Sequence, residues 1–420
     1  MTAPERTASG GDGPTDRQPP LNCDVLIVGG GPTGLFLACL LAARDVDVLV
    51  LERRAAPSAH SRGIGLHPPA LAALEMVGLE SAAMASGSRI RRGVARSRGH
   101  DLGQLHFAQA WPNRPFVLSV PQSRTEKLLE SRLVELAPEA LRRGWEVTSL
   151  QETTSGVEVT AQPRDQSVPA VLRTRVIVGA DGAHGRVRDL LGIGATGSQY
   201  PDAYLMGDLA DPVGERVCRN AFIHLEPGGV VESFPLPDGR RRWVVHMGPA
   251  PPSAATAAAL VEKVRERTGV QLDPESATMI SAFTVRRRTA RRLVSCSGAL
   301  IGDAAHEISP IGGQGITLGW LDALDVVPVL LRATTATDGP LHSSAAWQAF
   351  ARRCRRRART AGLLAYANTA LGRPLPVPLA RTRDIAVRGA LGTSLRHVLA
   401  WAYSMGWAWS SRQPPRRMDA

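Results

Sequence analysis

The amino-acid sequence predicts an α/β fold in which a parallel-sheet domain is interrupted by an antiparallel sheet and followed by helices. Three patterns lead to this prediction: a strand, helix and strand over residues 23–54, extended runs separated by tight turns over residues 202–247, and helical periodicity beyond residue 316. They divide the chain into an N-terminal extension, a discontinuous first domain, a sheet domain and a helical C-terminal segment, at residues 1–21, 22–200 with 280–340, 201–279 and 341–420.

The first unit is a short apolar strand, a glycine-rich turn and a helix, closed by a second apolar strand that ends at Glu52. Gly29, Gly31 and Gly34 fit the spacing G-x-G-x-x-G, in which the glycines allow a tight turn, close approach to a pyrophosphate and packing of the helix on the strand. This context predicts a Rossmann-like dinucleotide-binding unit. The Glu52 carboxylate can accept a hydrogen bond from a ribose 2′-hydroxyl and would repel a 2′-phosphate.

Two later turns also follow apolar strands. Asp181 ends the first strand, where it is either part of a ligand site or the N-cap of an ordinary helix start. After the second strand the backbone becomes rich in glycine before a helix begins, and N–H groups at such a helix start attract polar or negatively charged ligands. The candidate residues of this second turn are Gly302, Asp303, Pro310, Gly312, Gly313 and Gly315.

The middle of the sequence changes to short extended runs with turns at residues 227–229 and 237–239, and this pattern predicts an antiparallel sheet. Helices are predicted over residues 67–86, 122–144 and 254–268. The sheet would form one wall of a substrate pocket, although alternation along each strand allows only every second side chain to face it. The candidate pocket residues are Phe222, His224, Phe234, Trp243 and His246.

Composition and charge exclude several classes of protein. The 420 residues carry a formal net charge of +12, but only Lys127 and Lys263 among the 50 basic residues are lysines. The arginines are scattered, one cluster at residues 352–359 fits a solvated helix face, and no nucleic-acid-binding motif accompanies them, so no nucleic-acid partner is expected. No apolar run approaches the roughly 18 residues that a membrane-spanning helix needs.

The five cysteines are odd in number, widely spread and without a Cys-x-x-Cys pair. We therefore expect neither a zinc site nor a disulfide framework, and a reducing cytoplasm fits this pattern. Residues 1–21 are rich in Gly, Pro, Thr and Asp and lack an apolar core, so they are predicted to be a disordered extension rather than a signal peptide. No metal-ligating cluster is evident.

Taken together, the motifs resemble those of the class A flavoprotein hydroxylases, the FAD-dependent monooxygenases of the p-hydroxybenzoate hydroxylase type. The resemblance runs from about residue 22 to residue 410 and rests on the glycine fingerprint that ends in Glu52-Arg53, on Asp181-Gly182, and on Gly302-Asp303 with the proline and glycines that follow. It implies an FAD-binding domain, with Arg62 and Gln122 as further FAD contacts and Asp303 at the ribityl chain.

The resemblance also implies an activity. NADPH or NADH would reduce the flavin, and O2 would form a flavin C4a-hydroperoxide that hydroxylates or epoxidises an aromatic or polyketide-like small molecule. His306 would have a structural or flavin-proximal role. A flavin-dependent halogenase, a prenyl reductase of the same fold and a redox-silent flavin-binding protein remain alternatives, and the substrate, the choice of NADPH or NADH and the oligomeric state stay open.

Two residues depart from the pattern of this family. Thr317 stands where an Asn is often found after the glycine loop, which puts its hydrogen bond near the flavin in doubt. Gly185 stands where the Asp-Gly motif usually has a Ser.

Overall fold

The structure is a computed structural model that describes residues 21–57, 63–111, 113–153, 156–165, 168–212, 219–249, 254–335 and 341–409. The predicted N-terminal extension, apart from its last residue, and the predicted FAD contact Arg62 lie outside the described residues.

Strands and helices alternate in the first part of the chain, and helices follow one another at the end. The strands are β1 Leu21–Val28, β2 Val48–Glu52, β3 Gly65–Leu66, β4 Ser88–Ile90, β5 Arg92–Ser97, β6 His100–His106, β7 Val117–Ser119, β8 Leu141–Arg143, β9 Trp145–Thr153, β10 Gly156–Pro163, β11 Ala170–Gly179, β12 Ala195–Ala210, β13 Ala221–His224, β14 Val231–Leu236, β15 Arg240–Gly248, β16 Met279–Ala290, β17 Gly298–Leu300 and β18 His306–Glu307. The helices are α1 Pro32–Ala42, α2 Pro68–Met76, α3 Glu80–Ala85, α4 Gln122–Leu136, α5 Val187–Leu190, α6 Ala257–Thr268, α7 Gly315–Thr335, α8 Ala345–Leu371, α9 Val377–Gly392 and α10 Leu395–Tyr403.

The first sheet is the parallel sheet that the sequence predicts for the first domain. Its strands lie in the order β8-β2-β1-β11-β10-β9, with β17 beside β11, and the pairs among β8, β2, β1, β11 and β17 are parallel. Every residue of β2 is buried, as expected for a parallel strand covered on both faces. Helices α1 and α7 pack together beside this sheet, and the largest apolar core of the described residues lies between these layers.

The second sheet is larger than the predicted 201–279 domain. Its order is β18-β16-β12-β15-β14-β13-β5-β6, so it takes in two strands that precede the predicted domain, β5 and β6, and two that end after it, β16 and β18. The hairpin of β5 and β6 joins this sheet because β5 pairs in parallel with β13, about 130 residues further along the chain. Such a distant pairing leaves no local sequence signal, which explains the difference in boundaries.

Local backbone chemistry explains where the predicted helices differ from those observed. The helix predicted over residues 67–86 is divided into α2 and α3, and Gly78 at the break has a φ of +76°. The helix predicted over residues 122–144 stops at Leu136 because Pro138 disfavours the helical conformation of Ala137. The following residues form the edge strand β8 instead.

The C-terminal helices cover the second sheet on one side. Helices α9 and α10 pack against β6 and against each other, and α8 packs on α7. Among the residues that the structure describes, none of the helices combines the length and the apolar character that crossing a membrane requires.

Candidate functional site

A single cavity of about 970 Å³ joins the two sheets. The turns that follow β1, β2 and β11 and the segment after β17 line it, and one face of the second sheet lines it as well. The carboxyl ends of parallel strands are where open α/β sheets bind their ligands. The motifs singled out by sequence are therefore brought together around one space, although they lie more than 250 residues apart in the chain.

At two positions of the glycine fingerprint, Gly29 and Gly34, a side chain would collide with the backbone. At the third position, Gly31, a side chain would extend into open space. Gly29 has a φ of +111°, and a Cβ atom built on it would lie 2.4 Å from the carbonyl oxygen of Ala180. A Cβ on Gly34 would lie 1.9 Å from the carbonyl oxygen of Gly29, so the helix could not approach the strand. Gly31, by contrast, lines the cavity, and no described atom lies within 4 Å of a Cβ built on it.

Glu52 closes the other side of this turn. Its Oε2 accepts a hydrogen bond of 2.7 Å from the backbone N–H of Gly30, and its Oε1 accepts hydrogen bonds from the backbone N–H and the side chain of Arg54 at 2.9 and 3.0 Å. Burial favours the neutral acid, but these hydrogen bonds outweigh it and lower the pKa of Glu52. The ionised carboxylate lines the cavity beside Arg53.

The Asp181 turn explains why glycine replaces serine at position 185. The Oδ2 atom of Asp181 accepts a hydrogen bond of 3.0 Å from the backbone N–H of Val187, and a Cβ built on Gly185 would lie 2.0 Å from the Asp181 carboxyl carbon. A serine would force this carboxylate to move. The Oδ1 atom has no hydrogen-bond partner among the described residues, and burial raises the pKa of Asp181.

Gly302 and Asp303 form a turn that a buried ion pair supports. The backbone N–H of Gly302, which has a φ of +57°, donates a hydrogen bond of 3.2 Å to Oδ2 of Asp322. The same oxygen lies 2.5 Å from Nε2 of His306. Burial opposes both charges, but each partner stabilises the other, so the pKa of His306 is raised and that of Asp322 is lowered. His306 lies outside the cavity lining, so its place in the fold is structural.

The Asp303 side chain opens onto the cavity instead. It makes no hydrogen bond or ion pair with any side chain in the part of the chain that the structure describes. The surrounding protein shields it from bulk solvent and raises its pKa. A carboxylate in such a place is suited to accept hydrogen bonds from ligand hydroxyl groups.

The glycine loop after Pro310 is held by a residue that the sequence analysis missed. Gly312 and Gly313 have φ values of +101° and +66°, and Nε2 of His67 lies 3.1 Å from the carbonyl oxygen of Gly312. Burial lowers the pKa of His67 to about 4, so the ring is neutral and its Nε2–H donates to this carbonyl. No sequence signal marks this contact, because His67 precedes the loop by 245 residues.

Two further positions near the loop were singled out by sequence. Gln122 lines the cavity at the first turn of α4, and its Nε2 donates a hydrogen bond of 2.8 Å to Oε1 of Glu126. Thr317 is fully buried in α7 outside the cavity lining, and its hydroxyl has no hydrogen-bond partner among the described residues. Thr317 therefore offers no polar group to the cavity.

One face of the second sheet forms an apolar wall of the cavity, which we call the sheet wall. We define it on six neighbouring strands, from β16 to β5, and the edge strands β18 and β6 add Glu307 and Leu105 to the cavity lining. Its members are Val94, Met206, Ala221, Ile223, Leu225, Val230, Glu232, Phe234, Val244 and Phe283, and the polar residues Arg242, Thr284 and Arg286 of the same strands also line the cavity.

Of the five pocket residues predicted from the sequence, the structure places only Phe234 on the sheet wall. Phe222, His224, Trp243 and His246 are not among the residues that line the cavity. In β13 the lining residues are Ala221 and Ile223, and strand alternation turns the residues between them to the opposite face.

Three of the predicted pocket residues that do not line the cavity pack elsewhere in the structure. The guanidinium carbon of Arg96 lies 4.4 Å from the ring centroid of Phe222, and Nε2 of His246 lies 2.9 Å from Oδ1 of Asp202. Trp243 is buried in a separate apolar cluster under α6.

The C-terminal helices supply lining residues that the sequence did not indicate. Leu391 of α9 and Leu399 and Tyr403 of α10 line the cavity. The ring of Tyr403 stacks on that of Phe107, with their centroids 6.0 Å apart. In the described ranges no group of three or more His, Cys, Asp or Glu side chains is arranged to hold a metal ion.

The fold and the cavity are typical of a protein that binds a dinucleotide cofactor at its parallel sheet and a second ligand against its other sheet. The sequence pattern of the FAD binding domain family matches residues 22–357, and the chain belongs to this family. FAD is accordingly its cofactor.

Characterised relatives carry more specific names. The chain is 34% identical over 322 residues to the 12-dehydrotetracycline 5-monooxygenase/anhydrotetracycline 6-monooxygenase of Streptomyces rimosus, covering 72% of this chain and 61% of the relative. It is 31% identical over 314 residues to the dialkyldecalin synthase of Streptomyces rugosporus, covering 72% and 64%. The alignments thus span about three-fifths of the relatives' length.

The fold is also that of a solved structure. The p-nitrophenol 4-monooxygenase PnpA of Pseudomonas putida superposes with a TM-score of 0.83, covering 94% of this chain and 100% of that protein at 22% identity. At this identity the likeness concerns the fold alone.

Proposed function

We propose that this protein is an FAD-dependent monooxygenase that uses NAD(P)H and O2 to hydroxylate or epoxidise an aromatic or polyketide-like small molecule. The observation that carries the proposal is the single cavity that joins the glycine-rich turns to the apolar sheet wall. A cofactor held at the turns would have an apolar chamber beside it, large enough for a small-molecule substrate. The similarity to a tetracycline monooxygenase supports the same reaction class.

The cavity residues fit FAD. The open space at Gly31 and the N-terminus of α1 would hold the pyrophosphate, and Glu52 would accept a hydrogen bond from the ribose. Asp303 would anchor the ribityl chain, and the Gly312–Gly315 loop would lie against the ring system. Bound FAD would supply the electron transfer from NAD(P)H and the activation of O2.

The protein itself would orient the substrate and exclude water. The residues that the second sheet contributes to the cavity are mostly apolar, and Leu391, Leu399 and Tyr403 line the cavity from the C-terminal helices. A dry chamber protects reactive species from hydrolysis and strengthens the polar contacts inside it. We propose the cytoplasm as its compartment, because the five cysteines are widely spread along the sequence and contain no Cys-x-x-Cys pair.

The proposal is tested with purified protein and a panel of phenols and polycyclic quinones. We expect flavin absorbance, and NADPH or NADH oxidation with matching O2 uptake that rises when a substrate is added. Incorporation of one ¹⁸O atom from ¹⁸O2 into the product would establish the monooxygenase reaction. Protein without flavin, or flavin without any substrate-dependent oxidation of either nucleotide, would contradict the proposal.

A second candidate is a redox-silent flavoprotein, because one relative is named a synthase rather than a monooxygenase. The same assay separates the two candidates. Conversion of a substrate at the same rate with and without NAD(P)H and O2 would favour the synthase.

A further inference from the structure

One acidic side chain lies among the apolar members of the sheet wall, and the arginines Arg242 of β15 and Arg286 of β16 line the same cavity. Glu232 lies on β14 between Val230 and Phe234, and all three line the cavity on the same face. Its neighbours across the sheet are Ile223 on β13 and Val244 on β15, which are apolar and line the cavity too. Glu232 is only 8% exposed, and its position on the wall aims the carboxyl group into the cavity.

The carboxyl group of Glu232 has no hydrogen-bond or ion-pair partner among the residues that the structure describes. Arg242, an arginine of the neighbouring strand, is already engaged by Asp208, with Nε–Oδ1 and Nη2–Oδ2 distances of 2.6 and 2.8 Å. Burying a carboxyl group without a partner costs several kcal/mol when it is ionised, so burial raises the pKa of Glu232 to about 7. A ligand that donates a hydrogen bond would remove this cost.

The width of the sheet wall indicates the size of such a ligand. Neighbouring strands lie about 4.8 Å apart, so the six strands of the wall span about 24 Å. This is far wider than one benzene ring. The side chains of the wall indicate the polarity and the charge of the ligand. An apolar ring system fits the many aliphatic side chains, whereas an anionic group would be repelled by the ionised form of Glu232.

We propose that Glu232 is the polar anchor of the substrate chamber, where its carboxyl group accepts a hydrogen bond from a hydroxyl group of a neutral fused-ring phenol. This inference rests on the proposed function and deepens it by naming the substrate class and the residue that selects it. A carboxylate acceptor without a protein partner, set among mostly apolar side chains, would fix which edge of the ring system can turn towards the Gly312–Gly315 loop. Glu232 is thus a substrate-binding and specificity-determining residue.

The test compares two probes that differ by one methyl group, 2-naphthol and 2-methoxynaphthalene. Their dissociation constants are measured by calorimetry on the FAD-loaded protein and on its Glu232→Leu and Glu232→Gln variants. We expect the wild type to bind 2-naphthol at least tenfold more tightly than the ether, because a hydrogen bond to a charged group in an apolar site is strong. Glu232→Leu should abolish this preference, and Glu232→Gln, which keeps an acceptor oxygen, should retain part of it.

Phe234→Leu is the matched control, because Phe234 lies on the same strand and the same face. It should weaken both probes alike and leave their ratio unchanged. Equal affinity of the wild type for the two probes, absence of binding of both, or an unchanged ratio in Glu232→Leu would overturn the proposal. Binding is measured without turnover. Selective binding of 2-naphthol without NAD(P)H oxidation would therefore contradict the proposed monooxygenase function but not the proposed role of Glu232.

Discussion

The two ends of the cavity are built on different principles. At the cofactor end, backbone turns and glycines set the shape, and a Cβ atom on Gly29 or Gly34 would collide with another segment of main chain. At the substrate end, side chains from the strands of the second sheet and from the C-terminal helices α8, α9 and α10 set the shape, and the backbone serves to space them. The first end suits a cofactor with one fixed structure, whereas the second can be changed by single side-chain substitutions without disturbing the sheet.

The charges of the two ends differ as well. The cofactor end holds ionised Glu52, which strong hydrogen bonds keep charged, and the buried pair of His306 and Asp322 behind Asp303. The sheet wall holds the single acid Glu232, whose charge nothing nearby stabilises. Glu52 and the His306–Asp322 pair are therefore organised before a ligand arrives, whereas Asp303 at the cofactor end and Glu232 on the sheet wall have no side-chain partner among the described residues.

The largest effect is expected for Gly34→Ala. The added Cβ would lie 1.9 Å from the carbonyl oxygen of Gly29, and neither α1 nor β1 can move without disturbing the core. We expect a loss of stability of about 3 kcal/mol or more, measured as a lower thermal unfolding midpoint or as insoluble protein. Gly389→Ala is the control, since Gly389 is exposed in α9 with open space around it, and should be neutral or slightly stabilising. Equal midpoints for both variants would mean that the fingerprint is not under steric constraint.

Gly31→Ala should lower the affinity for FAD without lowering the stability of the FAD-free protein. A Cβ on Gly31 meets no described atom within 4 Å, and its φ of −83° suits alanine, so the FAD-free protein should unfold at the same temperature as the wild type. The methyl group would occupy the space in which the FAD pyrophosphate approaches the backbone of this turn. We therefore expect the affinity for FAD to fall at least about tenfold. Flavin fluorescence titration measures this. Unchanged affinity would show that the pyrophosphate does not approach this turn.

These contrasts show why the cofactor end could be predicted from the sequence. A glycine with positive φ or a close main-chain contact is a local requirement, so the spacing of Gly29, Gly31 and Gly34 carries its meaning within a few residues. The βαβ order and the acidic ends of the strands could be read in the same way. The positions of Glu52, Asp181 and Asp303 on one cavity were thereby foreseen.

The sheet wall could not be predicted in this way. Which side of β13 or β14 faces the cavity depends on pairing with β5 and β15, whose register no local pattern specifies. Aromatic residues were favoured as contacts, but a shift of one position along β13 moves Phe222 to the far side. Glu232 and Tyr403 were missed because an isolated acid and a C-terminal tyrosine have no motif around them.

Asp303→Ala is the next prediction for the cofactor end. Removing a carboxylate that accepts a hydrogen bond from a ligand hydroxyl costs about 1.5–3 kcal/mol, so FAD affinity should fall about tenfold or more. The fold should persist, because the Asp303 side chain faces the cavity rather than the core. Flavin content per protein after gel filtration measures the effect, with Glu262→Ala on the exposed face of α6 as the matched acid. Unchanged flavin content in Asp303→Ala would place the ribityl chain elsewhere.

The smallest effects are expected for two phenylalanines on opposite faces of the second sheet. They test which face of the strands lines the cavity. Phe234→Ala removes an aromatic contact from the cavity and should raise the dissociation constant for 2-naphthol about tenfold. Phe222→Ala removes a ring that packs against Arg96 on the opposite face, so it should cost about 0.5–1 kcal/mol of stability and leave the dissociation constant within about twofold.

Calorimetric titration of the FAD-loaded variants, together with their unfolding midpoints, measures both effects. An equal loss of 2-naphthol affinity in the two variants would mean that both faces of the strands reach the ligand, which a flat sheet with alternating side chains does not allow. A loss in Phe222→Ala alone would reverse the assignment of the sheet wall. Because Glu232 shares its face with Phe234, that result would also turn Glu232 away from the substrate chamber.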